Sequence, residues 1–120
     1  MPLSFQYDKV TQLCEIHLSG VLSDEELKNN QARITPHIEA GDQPKMLVIV
    51  GDFQGWERDG DWNNLDFMFS HGARIAKIAF VGDKRWEDEF KMFVGAGFRS
   101  APVGYFETGH EDTARAWLLG

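Results

Sequence analysis

A chain of 120 residues is long enough for one compact domain that hides about two-thirds of its unfolded surface without help from disulfides or metals. Its 19 acidic residues outweigh 12 basic ones, and a net charge of −7 argues against nucleic acid as a partner and against electrostatic docking on anionic membranes. Four Trp and nine Phe are a heavy aromatic load for this length, and they need places to pack.

The chain opens with two alternating segments. Leu3, Phe5 and Tyr7 alternate with polar residues, then Cys14, Ile16 and Leu18 alternate with Glu15, His17 and Ser19. This period of two predicts half-buried strands, joined by a hairpin turn around Asp8 to Thr11 and closed by Gly20. Ser23-Asp24-Glu25-Glu26 is a capping box. The Ser23 hydroxyl is expected to accept from the Glu26 backbone N–H, and the Glu26 carboxylate to reach back. Leu27, Ile34 and Ile38 come after it at helical spacing. Gly41 is the expected stop, and Pro36 is expected to kink or weaken the last turn.

Met46-Leu47-Val48-Ile49-Val50, between Pro44 and Gly51, is a continuous apolar run expected to form a central strand covered on both faces. A helix is predicted over 61–73 with Asp61 as its cap, then a strand over 75–81. Trp86, Phe90, Phe93, Val94 and Gly97 form an amphipathic stripe. A strand over 101–106 and a helix over 110–119 burying Ala114, Trp117 and Leu118 complete the chain. The order β-β-α-β-α-β-α-β-α predicts an α/β fold. Its mixed, mostly parallel sheet has about five strands and about four helices, with the first strand antiparallel to its hairpin partner. Ligands of such sheets bind at the carboxyl ends of the strands.

The lone cysteine, Cys14, permits no intrachain disulfide and reads as a small core residue. The first residues lack a charged segment leading into an apolar run, and no stretch approaches the ~20 apolar residues of a membrane span. A cytoplasmic location is the expectation.

Val50-Gly51-Asp52 and Val81-Gly82-Asp83 repeat one tripeptide at two predicted strand ends. Glycine permits a tight turn, and Asp caps the next helix. The same two acids, paired, would serve a general acid/base or metal site, with His71 as a candidate base. His71 also suits the negative end of its helix. His17, His37 and His110 have no metal-ligand spacing, and no metal or cofactor is expected. The segment 52–60 reads as an acidic loop flanked by glycines and holding Phe53 and Trp56. In the helix after it, Trp62, Leu65, Phe69 and Ala73 share a face, with Met68 at its boundary and Phe67 on the far side. This helix is either a wide core contact with one exposed Phe, or a mobile cover or self-association surface.

The pattern Leu65-x5-His71-x2-Arg74-Ile75-Ala76-x2-Ala79-x-Val81-Gly82-Asp83-x2-Trp86, closing with Phe106 and Ala114-x2-Trp117-Leu118, resembles the SpoIIAA-like proteins, small domains related to STAS domains. The resemblance spans nearly the whole chain and implies ligand or partner binding rather than chemistry. STAS antagonists carry a phosphorylatable Ser or Thr at the turn after the central strand. Here Gly51-Asp52-Phe53-Gln54-Gly55 has neither, and Ser70 does not match. The resemblance further implies a relation to Sec14-type lipid-binding domains, and a tendency to form homodimers.

The expectation is a non-enzymatic module that binds a lipid or other apolar small molecule against Trp56, Trp62, Met68, Phe69, Trp86 and Phe90, beneath the aromatic-rich helix. The alternative is a protein-interaction regulator that pairs with a second copy or a partner through Phe67 and the acidic loop from Glu57 to Asp61. A weaker alternative is a small metal-dependent hydrolase using Asp52, Asp83 and His71.

Overall fold

The computed structural model describes residues 3–57, 74–93 and 102–120. Five strands form one sheet in the order β1-β2-β3-β4-β5: β1 (Leu3–Asp8), β2 (Leu13–Leu22), β3 (Lys45–Trp56), β4 (Lys77–Gly82) and β5 (Val103–Glu107). β1 pairs antiparallel with β2, from Leu3↔Leu18 to Asp8↔Leu13, and every other pairing is parallel. The described helices are α1 (Asp24–Glu39), α2 (Glu87–Phe93) and α3 (Glu111–Leu119), with a short 3₁₀ turn (Lys84–Trp86) leading into α2. The helix expected over 61–73, and Val94, Gly97 and Ala101 of the later elements, lie outside the described residues.

Strand alternation divides the core. Cys14, Ile16, Leu18, Val48, Val50, Ile78 and Phe80 point to one face, where Ile34 and Ile38 of α1 and Phe90 of α2 pack on them. Leu47, Ala79 and Val81 point to the other face, against Ala114 and Leu118 of α3. Trp117 of α3 meets the Phe106 ring there, and Lys77 Nζ donates to the Trp117 carbonyl at 2.9 Å while lying over the indole. Cys14 is fully buried, and burial pushes its thiol up to about 12.

The capping box forms with one change. Glu26 N donates to Ser23 Oγ at 3.2 Å, but the Glu26 carboxylate accepts from the Ser23 hydroxyl, at 3.1 Å, rather than from its backbone. Asp24, Glu25 and Glu26 in the first turn suit the positive end of the helix. The helix runs through Pro36 and ends one turn later, with Ala40 N donating to the Pro36 carbonyl and Gly41 taking a φ of 105°. No helix among the described residues is long and apolar enough to cross a membrane.

Two expected strand ends are corrected. β2 does not stop at Gly20, and β3 does not stop at Val50. The pairing of the two strands shifts register on either side of Gly20, passing from Leu18↔Val50 to Gly20↔Phe53 and then to Val21↔Gly55. β3 therefore spends extra residues at two bulges, and glycines make both possible. A Cβ on Gly51 would sit 3.2 Å from the Leu18 carbonyl oxygen, and Gly55 has a φ of 118°, which a side chain disfavours. The ladder then resumes to Leu22↔Trp56 and ends where Glu57 N donates to the Leu22 carbonyl at 2.8 Å. The segment read as an acidic loop is, up to Trp56, the second half of a central strand.

Ser23→Ala removes the acceptor that caps α1. The expected loss is about 1 kcal/mol of unfolding free energy, read as a lower urea midpoint with an unchanged denaturant slope. Alkali acts through buried neutral acids. Burial, with help from the Asp83 and Glu87 carboxylates, raises the Tyr105 phenol from 10.0 to about 12, and Cys14 rises from 9.0 to about 12. The unfolded chain ionises these groups first and so binds fewer protons, and stability falls as pH rises. The melting temperature is expected to hold up to about pH 9 and to fall steadily from there towards about pH 12, in a series of thermal melts.

Candidate functional site

A cavity of about 80 Å³ lies over the first face of the sheet, between α1 and α2. Its floor is built from consecutive inward positions of three parallel strands: Ile16 and Leu18 of β2, Met46 and Val48 of β3, and Ile78 and Phe80 of β4. Leu22 and Trp56, paired at the far ends of β2 and β3, close one end. Leu27 and Asn30 of α1 and Phe90 of α2 form the walls. The surface presented to the cavity is apolar. An engineered apolar cavity of roughly 150 Å³ holds benzene in another protein, so this one suits a smaller compact group, or one end of a longer molecule.

The aromatic wall turns on Phe53, which is only 1% exposed. Its ring meets Trp56 at 5.4 Å and Trp86 at 4.8 Å, both edge-on, and Phe90 at 5.2 Å. Phe90 in turn touches Trp56 at 5.2 Å and Phe80 at 4.9 Å. Edge-to-face and tilted pairs of this kind add about 0.5–1.5 kcal/mol each beyond the area they bury. The rings thus hold each other in place and fix the positions of Trp56 and Phe90 at the cavity.

Of the six expected ligand-binding residues, the structure brings three together. Trp56 and Phe90 line the cavity, while Trp86 stands behind them against Phe53, its outer face under the Arg85 guanidinium at 4.9 Å. Trp62, Met68 and Phe69, the interface candidate Phe67 and the candidate base His71 lie outside the described residues. Of the acidic loop assigned to a partner surface, only Glu57 is described.

The repeated Gly-Asp pair serves two different local purposes. Asp83 accepts from Arg85 N at 2.9 Å and caps the 3₁₀ turn, and the Tyr105 hydroxyl donates to its carbonyl at 2.6 Å. A Cβ on Gly82 would lie 2.7 Å from Val50 Cβ, so this glycine permits close packing of β4 on β3. Asp52 is an exposed strand residue whose carboxylate accepts from Gln54 Nε2 at 2.9 Å. Among the described residues, no group of three or more His, Cys, Asp or Glu could hold a metal.

Sequence reasoning missed Phe53 and Asn30. Phe53 was hidden by the bulges, which break the alternation that makes a strand legible. Asn30 had a signal: it lies three residues after Leu27 and four before Ile34, a polar residue on an apolar stripe. It is 5% exposed, and its Oδ1 has no hydrogen-bond partner among the described residues.

Comparison with known proteins agrees with this architecture. No curated protein matches the chain. Among solved structures, it is similar to an uncharacterised protein of the DUF3478 family with a SpoIIAA-like fold from Shewanella loihica PV-4. The TM-score is 0.63 at 19% sequence identity, covering 97% of this chain and 91% of that one. The SpoIIAA-like family model matches residues 13–119, from the first residue of β2 to the last of α3. The chain belongs to the SpoIIAA-like family.

Proposed function

We propose that this domain is a non-enzymatic binding module that takes an apolar small molecule, or the end of a lipid chain, into the cavity between α1, α2 and the sheet. The observation that supports this reading is the lining itself. Ten of its eleven residues are apolar, and they come from β2, β3, β4, α1 and α2. Water in such a space finds almost no hydrogen-bonding partners, whereas an apolar group finds dispersion contacts on every wall. Burying apolar ligand surface contributes ~25 cal/mol per Å², so roughly 100 Å² corresponds to ~2.5 kcal/mol. That magnitude suits reversible uptake of a small group, and tighter binding requires further surface along the ligand.

Trp56 supplies the readout, because its indole lines the cavity. Titration with fatty acids, phospholipids and small cyclic hydrocarbons is expected to give a saturable change in tryptophan emission, with one bound molecule per chain in native mass spectrometry. Trp56→Phe removes most of the spectral response while binding persists. Val48→Phe fills the cavity from its floor and is expected to abolish binding while leaving the fold intact. Absence of any bound species and of any spectral response in the wild-type protein would overturn the proposal.

A further inference from the structure

We infer that Met46 is a peroxide-sensitive switch in the cavity floor, and that oxidation of its thioether to the sulfoxide shuts the cavity to apolar ligands. The inference rests on the cavity being a binding site, and it adds how that site is regulated. The floor has six residues, and five of them are closed to solvent: Ile16, Leu18, Val48, Ile78 and Phe80 are 2–6% exposed. Met46 is the one floor residue that is only half-buried. β3 is paired on both sides at this position, with Cys14 of β2 and Ile78 of β4, so the surface that Met46 keeps belongs to its side chain. The cover over the floor therefore has its gap at Met46, and that gap admits a small solute from water to the thioether. The other sulfur atoms among the described residues frame this position. Cys14, the neighbour of Met46 in register, is fully buried, which shields its thiol from a dissolved oxidant. Met92 of α2 is 81% exposed and does not border the cavity, so its oxidation serves as an internal reference.

The chemistry is a two-electron oxygen transfer. A lone pair of Met46 Sδ forms the S–O bond, the O–O bond of hydrogen peroxide breaks, and the second oxygen leaves as water. The sulfur is oxidised and the peroxide reduced. A dithiol reductant reverses the step, with the sulfoxide oxygen leaving as water while two thiols become a disulfide. The sulfoxide turns a flexible apolar side chain into a polar one at the floor of a space whose presented surface is apolar. Its oxygen finds no donor on that surface and stays hydrated, which holds water where an apolar ligand needs a dry wall. The added atom also takes up part of a cavity of only about 80 Å³.

Xenon is small enough for this cavity, and NMR under xenon pressure reads its binding through the methyl resonances of Val48 and Ile78. Each protein is compared with itself before and after hydrogen peroxide, while peptide mass spectrometry follows the oxidised fraction of each methionine. In the wild-type protein, xenon affinity is expected to fall about tenfold as Met46 sulfoxide forms, the equivalent of one polar group left without a partner. The loss follows the oxidised fraction of Met46 and not that of Met92, and methionine sulfoxide reductases with dithiothreitol restore binding. Met46→Leu is expected to lose the response to peroxide, and Met92→Leu to keep it. If Met46→Leu does not fold, the time course in the wild-type protein decides the matter. Unchanged xenon affinity in protein oxidised at Met46 overturns the switch while the apolar site stands. So does a loss that follows Met92 instead, a Met46→Leu protein that still responds, or a Met46 left intact by peroxide that oxidises Met92. No methyl shift with xenon in the untreated protein overturns the site as well.

Discussion

The molecule depends on how closely β3 approaches β2. Each bulge leaves a residue of β3 unpaired and bends the strand, so the ladder continues only where the backbones still approach closely. Here Gly51 lets the Leu18 carbonyl come within van der Waals range of the β3 backbone, and Gly55 takes a conformation that absorbs the second extra residue. The ladder survives both bulges and runs on to Trp56. Those two glycines suit the bulges that carry Phe53 into the core and Trp56 to the cavity. The aromatic cluster, the far wall of the cavity and the packing of Phe90 all depend on that backbone geometry.

The two faces of the sheet are built to different standards. The face under α3 is small and closed, with Leu47, Ala79, Val81, Ala114 and Leu118 filling it. The face under α1 and α2 has larger side chains and leaves a space among them. Close-packed interiors lose dispersion contacts wherever a void remains, so a void lined by well-positioned rings is a standing cost to the fold. Asn30 borders that void, and its buried carboxamide oxygen, without a hydrogen-bond partner among the described residues, adds to the same cost. Both features lie on one side of one helix, and among the described residues the opposite face of the sheet has no counterpart.

Much of this was legible in the sequence. Alternation over Leu3–Tyr7 and Cys14–Leu18 located the hairpin, the apolar run from Met46 to Val50 located the central strand, and the Ser23 box located the start of α1. These signals are local, and the structure realises them as local hydrogen bonds and strand pairings. The second half of β3 was illegible because a glycine that ends a strand and a glycine that lets a strand bulge look the same in sequence. Only the partner strand distinguishes them, through the Leu18 carbonyl facing Gly51. Trp56 and Phe90, expected as ligand contacts from aromatic content and helical spacing, border the cavity. The floor residues Ile16, Met46 and Ile78 were not expected there, since nothing along the chain separates a core residue that fills space from one that borders a gap.

The strand order has a consequence for how the chain assembles. Neighbours in the sheet are also neighbours in sequence, from β1 through β5. Each strand can add to an edge already laid down by its predecessor, and no strand must be inserted between two that came earlier. As the chain emerges during synthesis, the sheet can grow in one direction, with α1 docking on its face before β4 exists. Among the described residues, the cover of the opposite face comes from α3, which follows the last strand. Leu47, Ala79 and Val81 therefore wait for the cover that Ala114 and Leu118 supply until β4 and β5 are in place, and the nine-residue helix α3 then closes that side of a sticky growing sheet.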